Sequence, residues 1–295
     1  MKALPFKGSG TALITPFLRD GSVNYDEFAK LIEFQIAQGT DAIVLCGTTG
    51  ENATLTDDER KRLISYGIER VNSRIPVIAG TGSNDTRHAI EMSKYAMEAG
   101  ADALLVVTPY YNKASQNGLI KHFYAVADST SLPVILYNVP SRTGLNIAAE
   151  TYQALSKHEN IVATKEASGD ISAIARIAAE CGNDLTIYSG NDDQTIPILS
   201  LGAKGVISVF SNIMPFETHE ICRLWFEGKT EQALALHLKL LDFMNSLFID
   251  VNPIPVKAAL KLMGYDVGGL RLPLCDMPDS KLKLLESRMK AVSLI

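Results

Sequence analysis

Eight short apolar runs, separated by segments of helical periodicity, constrain this chain more than any other feature. They are Thr11–Phe17, Ala42–Gly47, Pro76–Gly82, Ala103–Pro109, Pro133–Val139, Ile161–Glu166, Leu185–Gly190 and Gly205–Phe210. They are rich in Val, Ile and Leu, and several are nearly continuous rather than alternating. Strands of a parallel sheet, buried on both faces, read this way. Between them, Tyr25–Gln38 carries Phe28, Leu31, Ile32 and Ile36 at helical spacing, and Asp57–Val71, Asp85–Ala99, Gly118–Ala127 and Ile171–Cys181 behave alike. Thr56 followed by Glu59 is a capping-box pattern. Gly39, Gly100, Gly182 and Gly202 each follow a helical stretch, as C-terminal caps do. This alternation predicts an α/β chain with a closed (β/α)8 TIM barrel, an open doubly wound sheet being the alternative.

After Pro215 the rhythm changes. Helical patterns at Glu217–Phe226, Glu231–Phe248, Pro255–Met263 and Asp279–Val292 follow one another without strands. One of them supplies the eighth barrel helix and the others a C-terminal helical extension. No Ser/Gly-rich linker intervenes. The expected division is a barrel over residues 1–225 and an extension over 226–295 packed on it.

The net charge of −5 argues against a nucleic-acid partner. The basic run Glu59-Arg60-Lys61-Arg62 also contains an acid and reads as a solvated helix face. Cys46, Cys181, Cys222 and Cys275 lie far apart, with neither zinc-site nor disulfide spacing. The first residues lack a signal-peptide pattern, and no apolar run approaches the roughly 20 residues of a membrane helix. A cytoplasmic protein with no membrane partner is expected.

In a barrel of this kind the active site lies at the C-terminal ends of the strands. The predicted strands end in Gly47-Thr48-Thr49-Gly50-Glu51, Thr108-Pro109-Tyr110-Tyr111-Asn112, Tyr137-Asn138-Val139-Pro140-Ser141-Arg142, Lys165-Glu166 and Ser189-Gly190-Asn191-Asp192-Asp193. A lone lysine at a strand end is ordinarily a surface residue. Lys165 differs because Tyr137 ends the preceding strand. A lysine amine is a nucleophile only when unprotonated, and an apolar barrel mouth disfavours the charged form. A tyrosine beside it can shuttle protons, and Arg142 offers a fork suited to a carboxylate. The Thr48-Thr49 turn offers hydroxyls and backbone N–H groups to a small anion. Gly80-Thr81-Gly82 reads as a turn, and Asp192-Asp193 as capping charge rather than a metal site. The histidines are scattered and make no ligand set. Pattern alone thus reaches covalent amine catalysis on a small carboxylated carbonyl compound, without metal or cofactor.

Taken in order, Gly47-Thr48-Thr49-Gly50-Glu51, Pro109-Tyr110-Tyr111-Asn112, Tyr137-Asn138-Val139-Pro140-Ser141-Arg142-Thr143-Gly144, Lys165-Glu166-Ala167-Ser168-Gly169 and Gly205-Val206-Ile207-Ser208 resemble the dihydrodipicolinate synthase (4-hydroxy-tetrahydrodipicolinate synthase) family. The likeness extends to Asn252-Pro253-Ile254-Pro255-Val256-Lys257 and Leu270-Arg271-Leu272-Pro273 in the tail. It implies that Lys165 forms a Schiff base with pyruvate, and that the resulting enamine attacks L-aspartate 4-semialdehyde. Tyr137, Thr48 and Tyr111 would form the proton relay, with Tyr111 reaching in from a neighbouring subunit. Arg142 would hold the carboxylate of the semialdehyde, and Thr49, Gly190 and Ile207 would surround the pyruvate. The implied assembly is a homotetramer built as a dimer of dimers. N-acetylneuraminate lyase and the keto-deoxy sugar-acid aldolases share the lysine, the tyrosine and the barrel, but Arg142 and the Thr48-Thr49 pair favour the synthase. A non-catalytic ligand-binding barrel is the alternative of another class.

Two departures from the family pattern stand out. Ala53, Asn84 and Tyr110 match the cleft where many members bind inhibitory lysine, but Asp57, Arg60 and His88 stand where one lysine-sensitive bacterial type carries His, His and Glu. Without that glutamate to pair with an ammonium group, a weak response to lysine is expected. Ala114 replaces a frequent proline, which loosens the loop bearing Tyr111.

Overall fold

Strands buried on both faces require helices outside and a filled interior within. The computed structural model, which describes Lys2 and residues 4–295, has both. Strands β1 (Gly8–Ala12), β2 (Ala42–Leu45), β3 (Val77–Gly80), β4 (Ala103–Val107), β5 (Val134–Asn138), β6 (Ile161–Glu166), β7 (Thr186–Ser189) and β8 (Gly205–Ser208) close into one parallel barrel. The β1–β8 pairing decides for the barrel over the open sheet. Around it lie α1 (Tyr25–Ala37), α2 (Asp57–Val71), α3 (Thr86–Glu98), α4 (Gln116–Asp128), α5 (Pro140–Thr143), α6 (Ala149–Leu155), α7 (Ile171–Cys181), α8 (Thr195–Ser200) and α9 (Pro215–Phe226). The tail contributes α10 (Thr230–Ser246), α11 (Ile254–Leu262) and α12 (Asp279–Ala291). Thr56 and Glu59 form the predicted capping box at the start of α2.

Side chains alternate across each strand, so the barrel has two cores. Leu13, Ile43, Leu104, Leu136 and Val206 face the helices. Ala42, Val44, Ile78, Leu105, Ile135 and Ile207 face the interior. At the base, the Phe6 ring stacks on Tyr188, with centroids 4.4 Å apart, and the Tyr188 hydroxyl donates to the Phe6 carbonyl.

Several local expectations need correction. The first strand is Gly8–Ala12 rather than Thr11–Phe17. Gly10 on its inner face leaves room for Phe6, whose ring would sit 2.8 Å from a Cβ there, and Gly205 on the neighbouring β8 lets the two strands approach, since a Cβ there would sit 1.8 Å from the Gly8 carbonyl oxygen. Residues beyond Leu13 leave the sheet, and the Phe17 N–H donates to Val267 O in the tail. Gly80-Thr81-Gly82 is no turn, because the Thr81 N–H donates to Leu105 O and prolongs the ladder. Arg60 is not on a solvated face: it is buried and donates to Gly80 O. The short helices α6 and α8 had no counterpart in the sequence reading.

Two cations fix the tail to the β2 turn. Lys257 Nζ donates to Glu51 Oε1 at 2.8 Å, Thr15 O at 3.0 Å and Gly269 O at 2.6 Å. Both side chains of the pair are buried. The Arg271 guanidinium donates to Glu59, Thr54 O and Gly21 O. Hydrogen bonds from Arg271 hold the Glu59 carboxyl down at about 2, against an ordinary 4.5. A carboxyl depressed in the folded state stabilises fully above its unfolded pKa, and that stabilisation is lost as pH falls through the folded value. Glu59→Gln is therefore expected to be less stable than the parent at neutral pH, and the gap in urea unfolding should narrow steadily below pH 4.5. A gap independent of pH would refute the assignment.

Candidate active site

Strand register brings the nucleophile candidate and its partner together. Tyr137 on β5 pairs with Lys165 on β6, and Lys165 pairs with Tyr188 on β7. All three face the interior. Lys165 is 5% exposed, and its Nζ lies 4.5 Å from the centroid of the Tyr137 ring. An amine over an aromatic face is attracted there most strongly when it carries charge.

The residue after Lys165 points the other way and braces the strand from outside. Glu166 is buried. Its Oε1 accepts from Asn138 Nδ2 at 2.7 Å and from the Tyr152 hydroxyl at 2.5 Å, and its Oε2 accepts from Ser168 Oγ at 2.7 Å. Burial, then the charge of Glu166, pushes the Tyr152 phenol well above its usual range, so it remains a donor. The sequence reading assigned Glu166 no role. Its signal was a carboxylate inside a buried strand, which needs partners to be tolerated.

Gly190, just after β7, lets the ends of β6 and β7 approach. Its N–H donates to Glu166 O at 2.6 Å, and a Cβ there would lie 2.6 Å from that of Ala167. Ile207 on β8 packs in the same interior cluster as Tyr137. The Gly47–Gly50 turn is flanked by Cys46 at φ 54° and Glu51 at φ 55°, left-handed conformations uncommon for such residues. It is closed by Gly50 N–H to Gly47 O and Glu51 N–H to Thr48 O, each 3.1 Å. Burial pushes the Cys46 thiol up to about 12, which leaves it inert.

Thr48 is half-buried in that turn, and Thr49 is buried. Thr49 Oγ1 accepts from Asn252 Nδ2 at 3.0 Å. Arg142, on α5, is exposed at the mouth, and its Nη2 donates to Asn252 O at 3.0 Å. Asn252 thus ties together two elements the sequence had listed separately, and its own part in the mouth went unread.

Tyr111 does not join the others within the single chain. It is 90% exposed on a loop where its own φ is 71° and that of Lys113 is 48°. The Asn112 side chain anchors that loop by donating to Asn84 O, and Ala114 packs against the outer core. Asp192 also departs from expectation. It is buried, and its Oδ2 accepts from the Val209 and Phe210 N–H groups at 3.1 and 3.0 Å. It therefore caps the turn after β8 rather than the helix that follows it. Burial raises its carboxyl, opposed by those hydrogen bonds and by the charge of Lys165. Among the described residues no three His, Cys, Asp or Glu side chains cluster as metal ligands.

The arrangement offers an enclosed amine, a phenol beside it, a hydroxyl-bearing turn and a guanidinium at the rim. Known proteins resemble the chain that carries it over nearly its whole length. The profile of the dihydrodipicolinate synthetase family matches residues 5–292. The 4-hydroxy-tetrahydrodipicolinate synthase of Clostridium perfringens is 56% identical over 290 residues, covering 98% of this chain and 99% of that protein. A crystal structure of a dihydrodipicolinate synthase superposes with a TM-score of 0.96 at 47% identity, covering 98% of this chain and 100% of the other. The chloride-inhibited Acinetobacter baumannii enzyme, complexed with pyruvate, gives 0.96 at 43% identity, covering 98% and 99%. The chain belongs to the dihydrodipicolinate synthetase family.

Proposed function

We propose that this chain condenses pyruvate with L-aspartate 4-semialdehyde to give 4-hydroxy-tetrahydrodipicolinate, in the diaminopimelate route to lysine. The reaction proceeds through a Schiff base on Lys165 and needs no separate cofactor. The observation that carries this reading is the Tyr137–Lys165 cross-strand pair at the C-terminal mouth, with the amine 4.5 Å from the ring centroid.

The Lys165 amine adds to the ketone carbon of pyruvate, and the carbonyl oxygen takes a proton relayed through Tyr137. Loss of water from this carbinolamine gives the iminium, whose charge lies over the Tyr137 ring. A methyl proton then leaves, and the enamine carbon bonds to the aldehyde carbon of the semialdehyde, whose oxygen becomes a hydroxyl. The semialdehyde's amino group attacks the C=N carbon, closes the ring and expels Lys165. One water is released overall. Thr48 and Tyr111 extend the relay, Thr49, Gly190 and Ile207 surround the pyruvate, and Arg142 holds the second substrate's carboxylate.

Tyr111 acts from a neighbouring copy of the chain. An aromatic side chain left 90% exposed beside a catalytic mouth supports a homodimer as the smallest complete unit and a homotetramer of two such dimers. The barrel of residues 1–225 and the extension of residues 226–295 work as one unit in the cytoplasm, without nucleic-acid or membrane partners. No helix among the described residues is long and apolar enough to cross a membrane. The test is trapping of pyruvate on the protein with borohydride, followed by turnover with L-aspartate 4-semialdehyde or N-acetylmannosamine. Turnover of the second alone would overturn the substrate assignment.

Lysine inhibition is expected to be weak. His88 Nε2 lies 2.9 Å from Asp57 Oδ1, and Arg60 Nη1 lies 3.9 Å from the same atom. Two of the three divergent positions carry cationic or neutral groups, and the carboxylate is already engaged, so an incoming ammonium lacks a free counter-charge. Rates at sub-millimolar lysine should match those without it. Half-inhibition in that range would disprove this.

A further inference from the structure

We propose that Asn252 is a positioning residue for the first substrate. It orients the Thr49 hydroxyl so that its proton faces the pyruvate carboxylate. The proposal rests on the function proposed above. Asn252 lies 203 residues from Thr49 in sequence, on the segment that leads into α11, and it is 6% exposed.

A hydroxyl has one proton and two lone pairs. Asn252 Nδ2 donates to Thr49 Oγ1 at 3.0 Å and so occupies a lone pair. The proton is left to be given elsewhere, and the anion in the proposed reaction is the pyruvate carboxylate. An asparagine that only closed a loop would satisfy both ends of its amide. Here Oδ1 is buried and, among the described residues, has no partner. Such an atom is costly to bury. The segment is held rigidly from the other side by Lys257, five residues on, through the Glu51, Thr15 and Gly269 oxygens.

The asparagine divides its labour. Its side chain serves Thr49, while its backbone carbonyl accepts from Arg142 Nη2 at 3.0 Å. A side-chain substitution therefore separates the two substrates. Asn252→Ala keeps the carbonyl and loses the amide. Its KM for pyruvate should rise about five- to tenfold, the loss of one neutral hydrogen bond. Its KM for L-aspartate 4-semialdehyde should stay within about twofold. In Asn252→Asp the new carboxylate accepts the Thr49 proton instead. The KM for pyruvate should then rise further, and recover as pH is lowered and the aspartate protonates. In a double-mutant cycle, Asn252→Ala should add nothing to Thr49→Val.

A merely structural role predicts otherwise: both KM values would rise together with a lower unfolding temperature, and the two substitutions would be additive. Either result would overturn the proposal, as would an unchanged KM for pyruvate in Asn252→Ala. Should that variant not fold, Asn252→Asp and its pH profile decide. If the parent protein itself fails to trap pyruvate on Lys165, the proposed function fails. If the parent traps it and the variants bind it normally, only this inference fails.

Discussion

Lys165→Ala is expected to lower kcat by about 10⁴-fold or more, the scale seen when a covalent nucleophile is removed. The amine sits in a barrel mouth at 5% exposure with the Tyr137 ring 4.5 Å away. Among the described residues no other lysine lies on a barrel strand. Lys165→Arg should be equally inactive, because a guanidinium is not deprotonated in proteins and cannot add to a ketone. Both variants should fold, since the outward contacts of β6 are made by Glu166 and Thr164 rather than by Lys165. The checks are single-turnover rates, borohydride trapping with labelled pyruvate and the unfolding temperature. Residual activity above about one per cent in a folded Lys165→Ala protein, or trapping on another lysine, would remove Lys165 from the mechanism.

The largest effect on stability is expected at the other buried lysine. Lys257→Met leaves Glu51 as a buried carboxylate that has lost the ammonium it pairs with at 2.8 Å. Breaking a buried pair this way costs about 3–5 kcal/mol, or a fall of about 10 °C in a domain of this size. Burial lowers the Lys257 ammonium from its ordinary range and Glu51 opposes that, so the pair's stability depends on the carboxylate being there. Replacing both members, Glu51→Gln with Lys257→Met, should therefore recover part of the loss. Activity should fall in the single variant as well, because Glu51 ends the turn that holds Thr48 and Thr49. An unfolding temperature within about 2 °C of the parent would show that water or a shifted loop compensates for the missing ammonium.

Much of this was legible before the structure. Parallel strands announce themselves through unbroken apolar runs, and the residues at their C-terminal ends declare the reactive face. That logic singled out Lys165 and Tyr137, which pair across β5 and β6, and the turn that carries Thr48. It missed α6 and α8 because they have seven and six residues, too few for a helical period to emerge, and α8 is buried at Thr195, Ile196, Ile198 and Leu199 around a proline. It misplaced β1 because glycines on its inner face replaced the apolar signal while Phe6 supplied the bulk. The tail residues escaped for a different reason. The contacts of Asn252 and Lys257 span 203 and 206 residues, so only the folded chain brings them to the mouth. The role of Tyr111 could be named only through family likeness, because its side chain is 90% exposed in the single chain.

The stacked pair of Phe6 and Tyr188 has a consequence for traffic. It fills the barrel interior at the base, away from the mouth. On the proposed chemistry, both reactants and the expelled water then use the opening at the C-terminal ends of the strands. On the proposed chemistry, the molecule bonded to Lys165 lies deepest and has to be laid down first. The second reactant lands above it and blocks its retreat. Release then runs in reverse, with ring closure cutting the tether before anything can leave. Order of addition, in such a barrel, is dictated by which end is filled.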